Sequence, residues 1–266
     1  MTVSAPSLAE AAVDVLTTAD PDQKVSKTYL HAAAWRNSEV SVGHCTPPDR
    51  PARPSAPRLC APREMPKRST GPKGRIALVH ALAHIELNAV DLAWDIVARF
   101  TNDDMPDAFY DDWVMVAEEE AKHFEALNSQ LDAWNTAYGD LPAHDGLWEA
   151  ATTTADALLA RLALIPMTLE ARGIDTTPPL MQRLRQADDE KTANILDMIY
   201  KDEINHLAVG VRWFEFLCAR DQKRPTDEYK NLMDRYFRGV PKGPFNIDAR
   251  TIAGMTPNYL APWLES

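Results

Sequence analysis

Glycine is scarce, with ten in 266 residues. Runs of β-branched residues are few, while Ala, Leu and Glu abound, which sets aside a sheet-rich chain in favour of a mainly helical one. Cysteine is scarcer still: Cys45, Cys60 and Cys218. The number is odd and no C-x-x-C pair occurs, which excludes a disulfide framework and a thiolate zinc site. No uninterrupted apolar run reaches the length of a membrane span, and "MTVSAPSLAEAAVDVL" lacks the basic start of a signal peptide. A cytoplasmic protein without a membrane partner is the expectation. Positive charge is also short: the net charge of −11 argues against nucleic-acid binding by the molecule as a whole, though not by a local patch.

What is present is enough for a large core, since 45% of the residues are hydrophobic. Residues 1–45 hold two short helices, over 7–18 with a capping box of Ser7 and Glu10, and around 25–36. Between Thr46 and Lys73 lie eight prolines and seven Lys or Arg against two acids, an extended, basic, polyproline-like arm. Residues 74–220 carry four long helical patterns. The first runs from about 74 to 100. The second starts at Pro106 and runs to Tyr138, with Gly139 as its stop. The third, kinked at Pro166, ends at Gly173. After the short helix "TPPLMQRLRQA", the fourth spans 189–220. Residues 221–266 read as a helix near 226–238 and an irregular tail, "VPKGPFNIDARTIAGM", packing on the bundle. No short-period repeat is visible.

Each long helix carries a carboxylate on an apolar face. Glu86 lies among Leu82, Ala83, Val90 and Ala93. Glu120 shares a face with Trp113, Val116, Phe124 and Leu127. Glu170 sits with Leu159, Ala163 and Met167, and Glu203 with Leu196, Ile199, Leu207 and Phe214. Two of these acids are followed three residues later by histidine, in Glu120-x-x-His123 and Glu203-x-x-His206. An ionised carboxylate on such a face is costly unless something pairs with it.

The spacing also repeats: Glu86 to Glu120 is 34 residues and Glu170 to Glu203 is 33. Glu86 precedes Phe100 by 14 residues, and Glu120 follows Pro106 by 14. At ~1.5 Å per residue, antiparallel helices bring those two carboxylates to one height. Four carboxylates and two imidazoles at one level suit two divalent metal ions that offset the clustered charge. Oxygen and imidazole donors without thiolate favour iron, with manganese as the alternative, over structural zinc.

Through Glu86, Glu120-x-x-His123, Glu170 and Glu203-x-x-His206 the chain resembles the ferritin-like superfamily of dinuclear carboxylate proteins. Over roughly 70–260 it is similar to a bacterial family of ferritin-like-domain proteins carried as a domain of unknown function. "HALAHIELNA", "HDGLWE", "LEARGID", "DEINHLAVG" and "PFNIDAR" carry that closer likeness. The resemblance implies an all-α, ferritin-like four-helix bundle with those six residues as metal ligands. It further implies that Glu119 supports His206 and Asp202 supports His123, each orienting the ring of the other half. A ferritin-like crossover runs the length of the bundle, whereas residues 139–151 span at most ~45 Å. Either the third helix starts later than 151 or the bundle is simply up-down-up-down.

Other polar residues have plainer readings. His80 and His84 share a face turned away from Glu86 and read as hydrogen-bonding core residues. Tyr200, one turn before Glu203, is a candidate redox-active or hydrogen-bonding phenol, set against a core tyrosine satisfied by a neighbour. His144 reads as a helix-cap residue or a residue at the site's mouth, and Glu118 as solvent-facing. The arm is expected to lie against its own acidic body, with RNA as the competing partner because a tRNA-hydroxylating enzyme belongs to the resembled superfamily. Three functions compete. The first is an O2-dependent di-iron oxidase or hydroxylase of a small-molecule substrate, favoured by the bulk outside the four helices. The others are iron storage with ferroxidase chemistry, and a metal-bearing module without turnover. A homodimer is compatible with all three.

Overall fold

A computed structural model describes residues 6–264, and all its regular elements are helical. Two isolated parallel bridges, Ser7 with Ser41 and Leu59 with Ala143, are the extended pairings among the described residues. The first five residues, on which the reading of the leader partly rests, lie outside the described residues. The chain divides into two compact units, Met1–Trp148 and Glu149–Ser266.

The first unit opens with α1 (Leu8–Leu16). Ser7 caps it, accepting from the Glu10 amide at 3.3 Å and donating to the Glu10 carboxylate at 2.7 Å. Helix α2 (Pro21–Arg36) begins earlier than residue 25, because Asp20 accepts from the Gln23 amide and Pro21 fills the first turn. The long pair α3 (Pro72–Arg99) and α4 (Asp107–Ala133) follows. Ala83, Leu87 and Val90 on α3, with Trp113, Phe124 and Leu127 on α4, are at most 2% exposed, so the two apolar stripes form this unit's core. Each large side chain so buried contributes roughly 1.5–3 kcal/mol. By length and average composition α3 could cross a membrane, although charged residues interrupt its apolar run. Most of it is buried, as expected of a core helix.

The arm between α2 and α3 is irregular apart from one 3₁₀ turn at Pro62–Glu64. It is fastened at several points. Ala52 N donates to Leu16 O at 2.7 Å, and Cys60 N donates to Ala143 O at 2.8 Å. Arg50 pairs with Asp145, and Arg53 meets Asp91 at 2.7 Å. Arg58, Arg63, Lys67 and Arg68 remain exposed.

Helix α5 (Gly146–Thr152) carries the chain across the division. In the second unit α6 (Leu158–Leu164), a π-helical turn (Ile165–Glu170) and α7 (Ala171–Gln186) follow without a break. The third long helix therefore starts later than 151, and the connection from α4 to α6 covers 134–157. Pro166 provides no N–H for Leu162 O, and its ring crowds the preceding turn. The helix answers by widening into a π turn rather than by a simple kink. Gly173 does not end a helix: α7 runs through it and includes "TPPLMQRLRQ". Pro178 lies inside α7, and the carbonyl it leaves unpaired, Ile174 O, accepts from Asn246 Nδ2 at 3.4 Å.

Helix α8 (Glu190–Arg220) packs on α7 and on the π turn, and α9 (Pro225–Tyr236) follows. The tail is not irregular throughout. It holds α10 (Ile247–Ile252), capped by Asn246, and α11 (Pro257–Leu264). Burial of Arg250 against Asp175, at 2.8 and 2.9 Å, draws the tail onto α7.

Several helices end on residues other than glycine. Helix α4 stops at Ala133, short of Tyr138, because Asn135 takes the left-handed conformation at φ 54°. Asn135 N then reaches Asp132 O at 2.9 Å and Thr136 N reaches Leu131 O at 3.1 Å, the Schellman pair of bonds. Ser38, Asp188 and Gln222 do the same after α2, α7 and α8.

Candidate metal centre

Antiparallel packing of α3 and α4 brings Glu86, Glu120 and His123 together. His123 Nδ1 lies 3.3 Å from a Glu86 oxygen and 3.4 Å from a Glu120 oxygen. The three potential ligand atoms are all within 4.8 Å of one another. Residue exposures are 4%, 1% and 0% respectively, so bulk water does not screen the two carboxylates. Desolvating each costs several kcal/mol unless positive charge compensates. Two donors on opposite sides of one ion, each at ~2.1 Å, stand about 4.2 Å apart. The donor set and its spacing therefore fit one divalent cation after small side-chain movements.

The second unit carries the other expected ligands on different backbone. Glu203 and His206 lie on α8, with His206 Nδ1 3.7 Å from a Glu203 oxygen. His206 is buried and Glu203 is half-buried. Glu170, half-buried, is the last residue of the π turn. The turn is held by Thr168, whose hydroxyl donates to Ala163 O at 2.7 Å, five residues back. Gly210, one turn beyond His206, lets α8 approach it: a Cβ there would lie 2.8 Å from the Pro166 ring.

The plainer candidates have structural partners. His84 Nε2 is 3.2 Å from His144 O, a carbonyl that can only accept, so Nε2 carries the proton. Nδ1 then accepts from the Tyr138 hydroxyl at 2.8 Å, and burial holds this imidazole neutral, its pKa lowered to about 3. His80 Nε2 accepts from Gly139 N at 2.9 Å, and His144 Nδ1 accepts from Gly146 N at 3.2 Å. Glu118 does not simply face solvent; it is ion-paired with Arg36 of α2. Tyr200 accepts a hydrogen bond from Asn246 Nδ2 at 3.0 Å, which ties its phenol to the tail. Glu119 and Asp202 are half-buried on α4 and α8.

Sequence reasoning missed a second buried acid on α3. Asp91, wholly buried, pairs with Lys24 of α2 and with Arg53 of the arm, whose other amino group reaches Asn88. Burial pushes the Lys24 ammonium below its usual pKa, against the pull of Asp91. The stretch "AVDLAWDIV" held the signal: acids at 91 and 95 inside an apolar helix demand cations. Asp95 is likewise buried and is gripped by Arg99 at 2.7–3.1 Å. In the second unit the missed pair is Asp175 with Arg250.

Residues 17–261 match the family described as Protein of unknown function (DUF455). An uncharacterized protein of Haemophilus influenzae is 42% identical over 216 residues, covering 78% of this chain and 74% of that one. No solved structure matches the chain.

Proposed function

We propose that this chain, which belongs to the DUF455 family, is a ferritin-like dinuclear metal protein that oxidises or hydroxylates an organic substrate with O2. In this reading Glu86, Glu120 and His123 hold one divalent ion. Glu170, Glu203 and His206 hold the second, with iron the preferred metal. The observation that carries the reading is the buried convergence of Glu86, Glu120 and His123, a donor set suited to a divalent cation. The matched spacing of 34 and 33 residues extends the same role to the second set.

Bound ferrous ions would supply the electrons that O2 reduction requires. The chain's own part begins with keeping water from Glu86 and Glu120 through the wall of Trp113, Phe124 and Leu127. His123, on the same α4 face as Glu120, orients an imidazole toward both carboxylates. Glu203, more open than its counterpart, leaves room for a substrate to approach.

The test is metal analysis of protein purified without added metal, then anaerobic loading with Fe(II) and exposure to O2. About two irons per chain, with rapid O2 uptake lost in Glu120→Ala and Glu203→Ala, is the expected result. Zinc or no metal, with no O2 reaction, would sink it. Large oligomers holding many irons per chain would turn the assignment toward iron storage.

A further inference from the structure

The second unit contains a cavity of about 270 Å³ between the back of the π turn and the tail. Met167 and Leu169 of the turn, with Phe237, Val240 and Phe245 of the 237–246 segment, make its walls largely apolar. The cations Arg172, Lys242 and Arg250 also line it, and no acidic residue does among the described residues. In a chain of net charge −11 that local balance is unexpected. Arg250 is already neutralised, because Asp175 takes its guanidinium in a two-pronged contact. Arg172 and Lys242 face solvent at the rim. Arg172 Nη1 reaches the same Asp175 carboxylate and Pro244 O, each at 3.1 Å. Two guanidinium groups thus share one carboxylate, and the outer edge of Arg172, with Lys242, is what a ligand meets. Val240 is 50% exposed on the same segment, an apolar side chain that a bound molecule would cover.

The inner end is closed to polar groups. Thr168 spends its hydroxyl hydrogen on Ala163 O, so the Tyr229 hydroxyl donates to Thr168 Oγ1 at 2.8 Å. Burial pushes the Tyr229 phenol up to about 12, so it is a neutral donor. With that pair satisfied, only an apolar group fits inward without leaving a polar atom unpaired. A charged group fits at the rim alone.

We propose that this cavity is a binding site for an organic monoanion, a carboxylate with an unbranched or aromatic apolar body. The body lies against Met167, Leu169 and Phe245, and the carboxylate meets Arg172 and Lys242. The size stands near the lower end of the range for small-ligand pockets, ~300–1,000 Å³, which suits a medium-chain acid rather than a long acyl chain. The inference does not rest on a metal: every group it uses is described above, and binding is measurable on metal-free protein. Because the π turn ends at Glu170, the ligand and that carboxylate share one backbone segment.

Titration calorimetry on the full chain tests it, with octanoate, octan-1-ol, octylammonium and inorganic phosphate as probes. Octanoate is expected to bind one per chain and at least about tenfold more tightly than octan-1-ol, the step usual for a charge-assisted contact. Lys242→Glu and Val240→Glu, both exposed and so not needed for folding, should each weaken octanoate about tenfold or more. Octan-1-ol or octylammonium binding as well as octanoate would overturn the anionic half of the proposal. Inorganic phosphate binding as well would overturn the apolar half. Octanoate affinity unchanged in both variants would place its site elsewhere and overturn the whole.

Discussion

Glu120 and His123 lie on an unbroken α-helix and meet Glu86 across a regular pair of helices. Glu203 and His206 lie on an equally regular helix, but Glu170 sits where its own helix has slackened into a π turn. The sequence spacings of the two sets are nearly equal, yet their surroundings differ. Glu86 and Glu120 are 4% and 1% exposed, the Glu203 side chain is 13% exposed, and Glu170 is half-buried. A sealed carboxylate has few rotamers and no water to turn to, whereas one nearer solvent can move at less cost. Glu170, on the π turn, is the carboxylate with that freedom, while His206 is as sealed as His123. π turns inside α-helices often mark functional positions, which agrees with the role proposed for Glu170.

The largest effect should come from breaking the sealed set. If the metal reading holds, Fe(II) or Mn(II) at about a thousandfold above Kd raises the unfolding free energy by about 4 kcal/mol. Glu120→Gln should remove most of that gain, and Glu170→Gln less of it. Urea unfolding with and without metal, under anaerobic conditions, reads all of these. Equal losses from the two variants would erase the contrast between the sets.

A second test presses on the π turn from α8. Gly210→Ala would place its methyl group 2.8 Å from the rigid Pro166 ring. Overpacking of that kind costs about 1–3 kcal/mol. Gly173→Ala, in the same unit, has nothing within 4 Å of the new Cβ and should instead stabilise α7 by about 0.5–1 kcal/mol. If both substitutions shift the urea midpoint the same way, Gly210 is not what lets the turn seat. Thr168→Val presses on the same turn. It removes the bond to Ala163 O and the acceptor of the buried Tyr229 hydroxyl, and should cost about 1–3 kcal/mol, with no change in the first unit's hydrogen-exchange protection.

What could be read from the sequence follows from how each feature is encoded. The long helices α3, α4 and α8 announce themselves by apolar residues three and four apart, and the carboxylates stand out against those faces. Helix ends are harder to read, because glycine is the commonest stop signal. This chain closes helices with Ser38, Asn135, Asp188 and Gln222 at positive φ, and threads α7 through Gly173. Asn and Asp tolerate the left-handed region best, and Ser38 and Gln222 adopt it here as single residues, so no glycine is needed. The π turn was half legible: Pro166 signalled a disturbance, but whether a helix bends or widens depends on partners such as Thr168 and Gly210. The tail's helices were hidden for a similar reason. Arg250 and Asp175 are 75 residues apart, and nothing local in "NIDAR" reveals that the arginine is buried.

The smallest effect is confined to the first unit and depends on pH alone. Burial pushes the His80 imidazole below its ordinary pKa of 6.5, only partly offset by Asp140. Its Nε2 must be unprotonated to accept the Gly139 N–H, and Gly139 is pinned in a turn at φ 108°. The folded protein therefore binds fewer protons here than the unfolded chain does. The stability from this group is present above pH 6.5 and is lost as pH falls below it toward the depressed folded value. Wild type should lose more stability between pH 7 and pH 5 than His80→Phe does, although the variant starts lower for want of the hydrogen bond. The difference between the two urea midpoints, followed against pH, isolates this histidine from every other titrating group. The same measurement on Thr168→Val should track wild type in parallel, because the π turn holds itself with hydroxyls that do not titrate in this range. A steeper fall in His80→Phe than in wild type would reverse the sign and place the proton on Nε2 in the folded state.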